Sequence, residues 1–227
     1  PASVLDDVVV CGWNDLDLLR EALERHKGEV AGVIMEPMMV NGGAAEPQPG
    51  YLAGARDLCR QHGALFYLDE TVTGFRLAPG GAAELYGLQP DLVTYGKALG
   101  GGLPMAMIGG RADVMAGLEG GKVLHFGTHN AGRLALHVTK TMLTEMLKDD
   151  RAGFRRLKDL GEAMAVAIRT VAAKSNRHRI RVQGVTSMLQ VFFTEAEEVA
   201  DYRDFCAHVD RAKFRDDLLT ARNEGLF

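Results

Sequence analysis

The chain has 227 residues, 47% hydrophobic and 25% charged, with a formal net charge of −4, an ordinary globular composition for one large domain or two small ones. No concentrated basic patch points to nucleic acid as a partner, and no apolar run of about 18 residues points to a membrane span. Cys11, Cys59 and Cys206 are far apart, odd in number and without CxxC spacing, which argues against a disulfide framework or a cysteine zinc site and suits a reducing cytoplasm.

No signal peptide is visible at the start. Pro1 is not an initiator methionine, and Ala221-Arg222-Asn223-Glu224-Gly225-Leu226-Phe227 stops just after an expected helix. Both ends look cut, so a fragment of a longer protein is expected.

Val8-Val9-Val10-Cys11 reads as a short strand. Asn14-Asp15 can cap a helix running to about His26, with Leu16, Leu19 and Leu23 on one face and Gly28 as the stop. Ala31 to Met35 is an apolar strand ending at Glu36-Pro37. A loop rich in glycine and proline spans Asn41 to Gly50. Tyr51 to His62 is helical and Gly63 ends it. Leu65 to Asp69 and Asp91 to Tyr95 are strands, Met105 to Ile108 is a short run, and Ala112 to Leu118 makes one or two helical turns. This alternation predicts an α/β fold: a mostly parallel sheet with helices on both faces.

After Thr128 the texture changes. Leu134 to Met146 and Phe154 to Ala173 read as long helices. Arg179 to Phe193 reads as strand, turn at Gln183-Gly184, and strand. Ala200 to Ala221 closes as an amphipathic helix. A boundary near residue 135 is expected, with a large α/β portion at 1–134 and a connecting helix plus a smaller α+β unit at 135–227. Arg177, Arg179 and Arg181 form a local basic cluster among acidic stretches, which reads as a solvated face.

In a parallel α/β sheet, ligands gather at the carboxyl ends of the strands. Glu36-Pro37, Asp69-Glu70, Lys97 and Gly127-Thr128-His129-Asn130 all fall at or just after expected strand ends. Lys97 follows the apolar run Leu92-Val93-Thr94-Tyr95-Gly96 and precedes Gly100-Gly101-Gly102-Leu103-Pro104. Desolvation at the end of a buried strand would favour its neutral, nucleophilic amine, and the glycines would let a flat ligand approach the backbone. A lysine amine condenses with an aldehyde. An aspartate, here Asp69, can hold a protonated ring nitrogen. Gly127-Thr128 ahead of a helix offers N–H groups and a hydroxyl to a phosphate. Aldehyde, ring nitrogen and phosphate together describe pyridoxal 5'-phosphate.

Asp69-Glu70-Thr71-Val72-Thr73-Gly74-Phe75-Arg76 with Tyr95-Gly96-Lys97-Ala98-Leu99-Gly100-Gly101-Gly102-Leu103-Pro104 resembles the class III, fold-type-I pyridoxal-phosphate aminotransferases. Glu36-Pro37, Asn41-Gly42-Gly43, Pro49-Gly50-Tyr51-Leu52, Gly127-Thr128 and the stretch Val182 to Phe193 match in order and spacing. Asn41 and Thr73-Gly74-Phe75-Arg76 lean toward the glutamate-1-semialdehyde aminomutase branch. The resemblance implies that Lys97 forms the Schiff base with the cofactor and shuttles a proton. It implies that Asp69 keeps the ring nitrogen protonated, that Asn41 hydrogen-bonds the phenolic oxygen, and that Thr71 packs against one ring face. Gly127 and Thr128 would bind the phosphate of a neighbouring subunit's cofactor, which implies a homodimer with a shared site.

Three positions depart from the pattern. Val72 replaces a glutamine, Thr71 is more polar than usual, and Gly132-Arg133 stands where Asn-Pro is more common. The implied activity is amino transfer between a small-molecule donor and a carbonyl acceptor. The alternatives are an intramolecular 2,1-aminomutase and a catalytically incomplete cofactor-binding module of a larger assembly. The upstream phosphate loop and ring-stacking aromatic fall outside this chain, so the fragment alone is expected to be inactive.

Other polar residues have plainer readings. Glu36 either orients a loop or touches the cofactor network. Glu70 points away from Asp69 and reads as a packing or ion-pair residue. His125 and His129 lack the further ligands a metal needs, and Met35, Met38 and Met39 read as core filler. Arg76 is either a surface residue or a steadying contact for the loop after Asp69.

Overall fold

The computed structural model describes residues 2–175 and 179–225. Helix α1 (Ala2–Asp6) opens the chain. The strand expected at Val8-Val9-Val10-Cys11 does not form: the three valines are exposed and no described strand pairs with them. Without a neighbour, a strand cannot satisfy its backbone groups through a ladder.

Local signals do set the next elements. Asp15 caps α2 (Leu16–Arg25), its carboxylate accepting the N–H groups of Asp17 and Leu18, and Leu19 and Leu23 turn inward. Helix α3 (Tyr51–His62) ends at Gly63, whose φ of 72° is the left-handed value that favours glycine.

Strands β1 (Gly32–Met35), β2 (Leu65–Glu70), β3 (Leu92–Tyr95) and β4 (Met107–Gly110) form a sheet in that spatial order. The first three are parallel and β4 is antiparallel to β3. Along β2, Phe66, Leu68 and Glu70 are fully buried, whereas Leu65, Tyr67 and Asp69 are half-buried. Phe66 and Leu68 pack with Leu19, Leu23, Leu52, Ala55, Leu58 and Cys59 of α2 and α3, each buried Leu or Phe side chain contributing about 1.5–3 kcal/mol. Two short helices complete this part: α4 (Gly81–Leu85), too brief for a periodic signal, and α5 (Ala112–Glu119).

The chain divides into two compact units. One contains residues up to Pro37 and Pro47–Phe154; the other contains Met38–Glu46 and the residues from Arg155 onward. The expected border at 134/135 therefore moves to 154/155. The reason is that the first half of α6 (Arg133–Ala172) is fastened to the first unit. The Thr139 hydroxyl donates to the Leu99 carbonyl at 2.9 Å, and Arg151 pairs with Glu84 at 2.6 Å. Non-helical backbone at Lys148–Arg151 breaks α6 in two, so its halves correspond to the two helices expected.

In the second unit, β5 (Ile180–Val185) and β6 (Met188–Phe193) form an antiparallel hairpin. Its turn lies at Thr186-Ser187, not at Gln183-Gly184, because Gly184 pairs with Leu189 inside the ladder. Glycine is needed there for close approach: its φ is 114° and a Cβ would collide with the Met188 carbonyl. The closing helix is two helices, α7 (Tyr202–His208) and α8 (Arg211–Asn223). Val209 leaves the helical path to bridge Thr194, and Asp210 caps α8.

Arg179 and Arg181 donate to the carbonyls of Glu195 and Glu197, tying that stretch to β5. Arg177 lies outside the described residues. Cys11, Cys59 and Cys206 are unbridged. Among the described residues no helix is long and apolar enough to cross a membrane.

Candidate active site

Strands β2 and β3 are parallel neighbours, so their carboxyl ends open at the same sheet edge. Their register sets Asp69 beside Thr94 and Glu70 beside Tyr95. Strand alternation then sends Asp69 and Glu70 to opposite faces.

Three donors converge on one oxygen of Asp69. Its Oδ1 accepts the Thr71 N–H at 2.9 Å, the Thr71 hydroxyl at 2.5 Å and the Thr94 hydroxyl at 3.2 Å. Oδ2 accepts no hydrogen bond among the described residues. Partial burial by itself pushes the Asp69 pKa up. The hydrogen bonds from Thr71 and Thr94 and the positive charge of Lys97 outweigh it, so the carboxyl is held below its ordinary value.

Glu70 has a different task. It is fully buried, and its carboxylate accepts the Thr73 hydroxyl at 3.0 Å, the Ala82 N–H at 2.6 Å and the Ala83 N–H at 2.8 Å. It thus caps the first turn of α4 from outside the helix. Burial pushes its pKa up against those hydrogen bonds. A Cβ on Gly81 would overlap the same carboxylate. Glu70 is therefore buried as a helix-capping group, and no ion pair engages it among the described residues.

Lys97 follows β3 by two residues and begins a 3-10 turn, Lys97–Gly100. Its φ of 44° is in the left-handed region, a sparsely populated conformation for a residue with a Cβ. Its side chain is exposed, so the desolvation expected from a buried strand end does not occur in this structure. No hydrogen bond or ion pair holds the amine among the described residues. Just before it, a Cβ on Gly96 would lie 3.2 Å from Thr71 Cγ2. Thr71 therefore rests against the end of β3 as well as bonding Asp69.

The loop after β2 is tightly tied. The Gly74 N–H donates to the Glu70 carbonyl at 2.9 Å, and the Arg76 guanidinium donates to the Val72 carbonyl at 2.6 Å. Arg76 thus steadies this loop. Gly74 lies under the Tyr95 ring, where a Cβ would collide, and Phe75 packs on Tyr95 with ring centroids 5.1 Å apart.

Asp69, Thr71 and Lys97 thus share one edge of the first unit. Gly127 and Thr128 form an exposed turn, closed by the Asn130 N–H on the Gly127 carbonyl at 3.0 Å. No side chain of this turn hydrogen-bonds to Asp69, Thr71 or Lys97. Asn41 belongs to the second unit, exposed in a loop that Met39 and Ala45 close by pairing. The Glu36 carbonyl accepts the Trp13 indole N–H at 3.0 Å. Met38 is fully buried. His125 and His129 are exposed, and the described residues contain no group of three or more His, Cys, Asp or Glu placed to hold a metal.

Thr94 is a site residue that the sequence patterns do not single out. Its signal was a lone hydroxyl inside the run Leu92-Val93-Thr94-Tyr95, three residues before the lysine. Glu70 as a cap was also hidden, because its helix starts 11 residues later in the chain.

The model of the aminotransferase class-III family matches residues 9–226. A glutamate-1-semialdehyde 2,1-aminomutase of Anaeromyxobacter dehalogenans is 42% identical over 199 residues, covering 86% of this chain and 45% of the relative. An omega-transaminase from Sphaerobacter thermophilus superposes with a TM-score of 0.84 at 30% identity, over 90% of this chain and 46% of that one. A structure described as a transaminase with PLP bound superposes with a TM-score of 0.77 at 26% identity, over 85% and 45%. The chain thus spans about half the length of the relatives it matches.

Proposed function

The chain belongs to the aminotransferase class-III family, and we propose that it carries the lysine-bearing part of a pyridoxal-phosphate-dependent aminotransferase. Its fold is that of the fold-type-I enzymes, with part of the large domain present. The observation that carries the reading is the shared edge of β2 and β3. An aspartate fixed through one oxygen lies there with an exposed lysine whose amine makes no hydrogen bond or ion pair among the described residues.

The chemistry of Asp69 and Lys97 in the first unit supports a fit to the cofactor, and the other roles follow from the family resemblance. Asp69 is held as a carboxylate with Oδ2 unengaged, which suits a protonated ring nitrogen. Lys97 offers a primary amine on a glycine-flanked turn. Thr71 would lie toward one ring face, Asn41 would donate to the phenolic oxygen, and Gly127 with Thr128 would hold the phosphate of a partner subunit's cofactor. When bound, pyridoxal phosphate supplies an aldehyde carbon and an electron-accepting ring. Asp69 would then preserve the positive charge on the ring nitrogen. Lys97 would hold the cofactor through its Nζ, and that amine would also be the chain's own group for accepting and returning a proton beside the bound substrate. On this reading the donor and the carbonyl acceptor are small molecules, and the assembly is a cytoplasmic homodimer. The separated, unbridged cysteines support that compartment.

A second reading is an intramolecular 2,1-aminomutase. It is favoured by a 42% identical relative of that name. One assay separates the two: amino transfer needs an external donor and exchanges its nitrogen with the acceptor, whereas a mutase turns over glutamate 1-semialdehyde with neither added. The full-length protein incubated with pyridoxal phosphate should show a lysine-linked absorbance band, and Lys97→Ala should abolish it. A Lys97→Ala protein that keeps that band rules out both readings.

A further inference from the structure

We propose that Thr71 and Thr94 are positioning residues that clamp the Asp69 carboxylate through Oδ1, so that Oδ2 is the oxygen presented to a cationic ring nitrogen. The ring nitrogen comes from the cofactor reading above, and the clamp itself rests on the chain's own geometry.

The clamp has two independent arms. One is local: the Thr71 N–H and hydroxyl reach back two residues to Oδ1 at 2.9 and 2.5 Å, a turn that aspartate commonly makes with the backbone. The other arm is not local. Thr94 belongs to β3, 25 residues away in sequence, and its hydroxyl meets the same oxygen at 3.2 Å. A surface turn alone has no need of it. Both arms use β-branched side chains, whose χ1 freedom is small, so each hydroxyl is held where its strand or turn puts it. Thr71 is fixed further by its methyl against Gly96.

Crowding three donors on one oxygen has two effects. It fixes rotation of the carboxylate, and it stabilises the charged form. The direction of the Asp69 shift agrees, since these hydrogen bonds lower its pKa despite burial. Among the groups facing Asp69, Thr94 on β3 and Thr71 on the following turn are uncharged, and Lys97 is the one charged side chain among the described residues that acts on it. Glu70 lies on the opposite face of β2.

The test uses the full chain labelled with carbon-13 at the aspartate carboxyl, with the Asp69 signal assigned by its loss in Asp69→Asn. The carboxyl titration is followed without cofactor in wild type, Thr71→Val, Thr94→Val, the double variant and Thr71→Ser. The Asp69 midpoint should move up in each valine variant and further in the double variant, and Thr71→Ser should return it toward wild type. Coincident midpoints in wild type and the double variant would overturn the clamp. So would a serine variant displaced as far as the valine one. A second arm adds pyridoxal phosphate to the full-length protein: there the valine variants should bind it several-fold more weakly than the wild type, with the deficit widening as pH falls. Failure of wild type to bind it removes the ring-nitrogen role and the cofactor reading together, while the titration still decides the clamp. Normal binding by valine variants with displaced midpoints overturns the ring-nitrogen role alone.

Discussion

The Thr94 hydroxyl meets the Asp69 carboxylate across two parallel strands, at 3.2 Å, from the position directly beside it in the ladder. That pairing joins the strand that carries the acid to the strand that delivers Lys97 three residues later. Sliding β3 by one residue would turn Thr94 to the other face and break the contact. The acid and the lysine are therefore positioned by one hydrogen-bond register.

Lys97 is expected to matter for chemistry and little for folding. Its side chain is exposed and its φ is positive. On the proposed reading, Lys97→Ala in the full-length protein should lower turnover by roughly a thousandfold or more, since it would remove the covalent attachment point. Its unfolding free energy should stay within about 0.5 kcal/mol of wild type, as for an ordinary surface substitution. Steady-state kinetics beside urea unfolding checks both halves.

Asp69→Asn should alter acid stability with a defined sign. The folded pKa of Asp69 lies below its ordinary value. Its stabilising contribution is therefore present above the unfolded pKa of about 3.9, and is lost as pH falls through the lower folded value. Asp69→Asn should be less stable than wild type at neutral pH, and the difference should close as pH drops below about 4. Urea midpoints measured across pH 3 to 7 would show this, and a gap that widens toward acid contradicts it.

Glu70→Ala should destabilise the full chain by about 2–4 kcal/mol, because the N–H groups of Ala82 and Ala83 and the Thr73 hydroxyl lose a buried acceptor. The pH trend has the opposite sign to that of Asp69. Burial raises the folded pKa of Glu70, so its contribution is full below the unfolded pKa of about 4.3 and diminishes as pH rises through the folded value. The gap between wild type and Glu70→Ala should be widest in acid and narrow toward neutrality.

Two glycines with positive φ should respond differently to alanine. Gly184 lies within the β5–β6 ladder against the Met188 carbonyl, with φ 114°. Gly63 ends α3 with φ 72° and has nothing within 4 Å of its would-be Cβ. Gly63→Ala should cost about 1 kcal/mol, from backbone conformation alone. Gly184→Ala adds a collision with backbone and should cost about 2–4 kcal/mol. Equal losses by thermal unfolding would mean that the hairpin does not pass its strands where the structure places them.

Several features follow from neighbours in sequence. Asp15 and the spacing of Leu19 and Leu23 set α2, Gly63 stops α3, and apolar runs mark β1, β2 and β3. Lys97 before three glycines and Asp69 at a strand end were legible in the same way. Each signal acts within a few residues, through capping, backbone conformation or periodic burial, so no distant partner is needed to read it.

Other features depend on residues far apart in the chain. Val8-Val9-Val10 has strand composition, and no strand among the described residues pairs with it. Gly184 resembles a turn glycine, yet its partner strand places it inside the ladder. Val209 interrupts a helical pattern because Thr194 pairs with it. Glu70 becomes a cap only when α4 packs over it, and the exposure of Lys97 reflects what surrounds its turn. Sequence alone points to Lys97 and Asp69 as candidates for the chemistry. Tertiary structure decided which residues meet, because strand register brings Thr94 to Asp69 across 25 residues of chain and local propensity carries no record of that pairing.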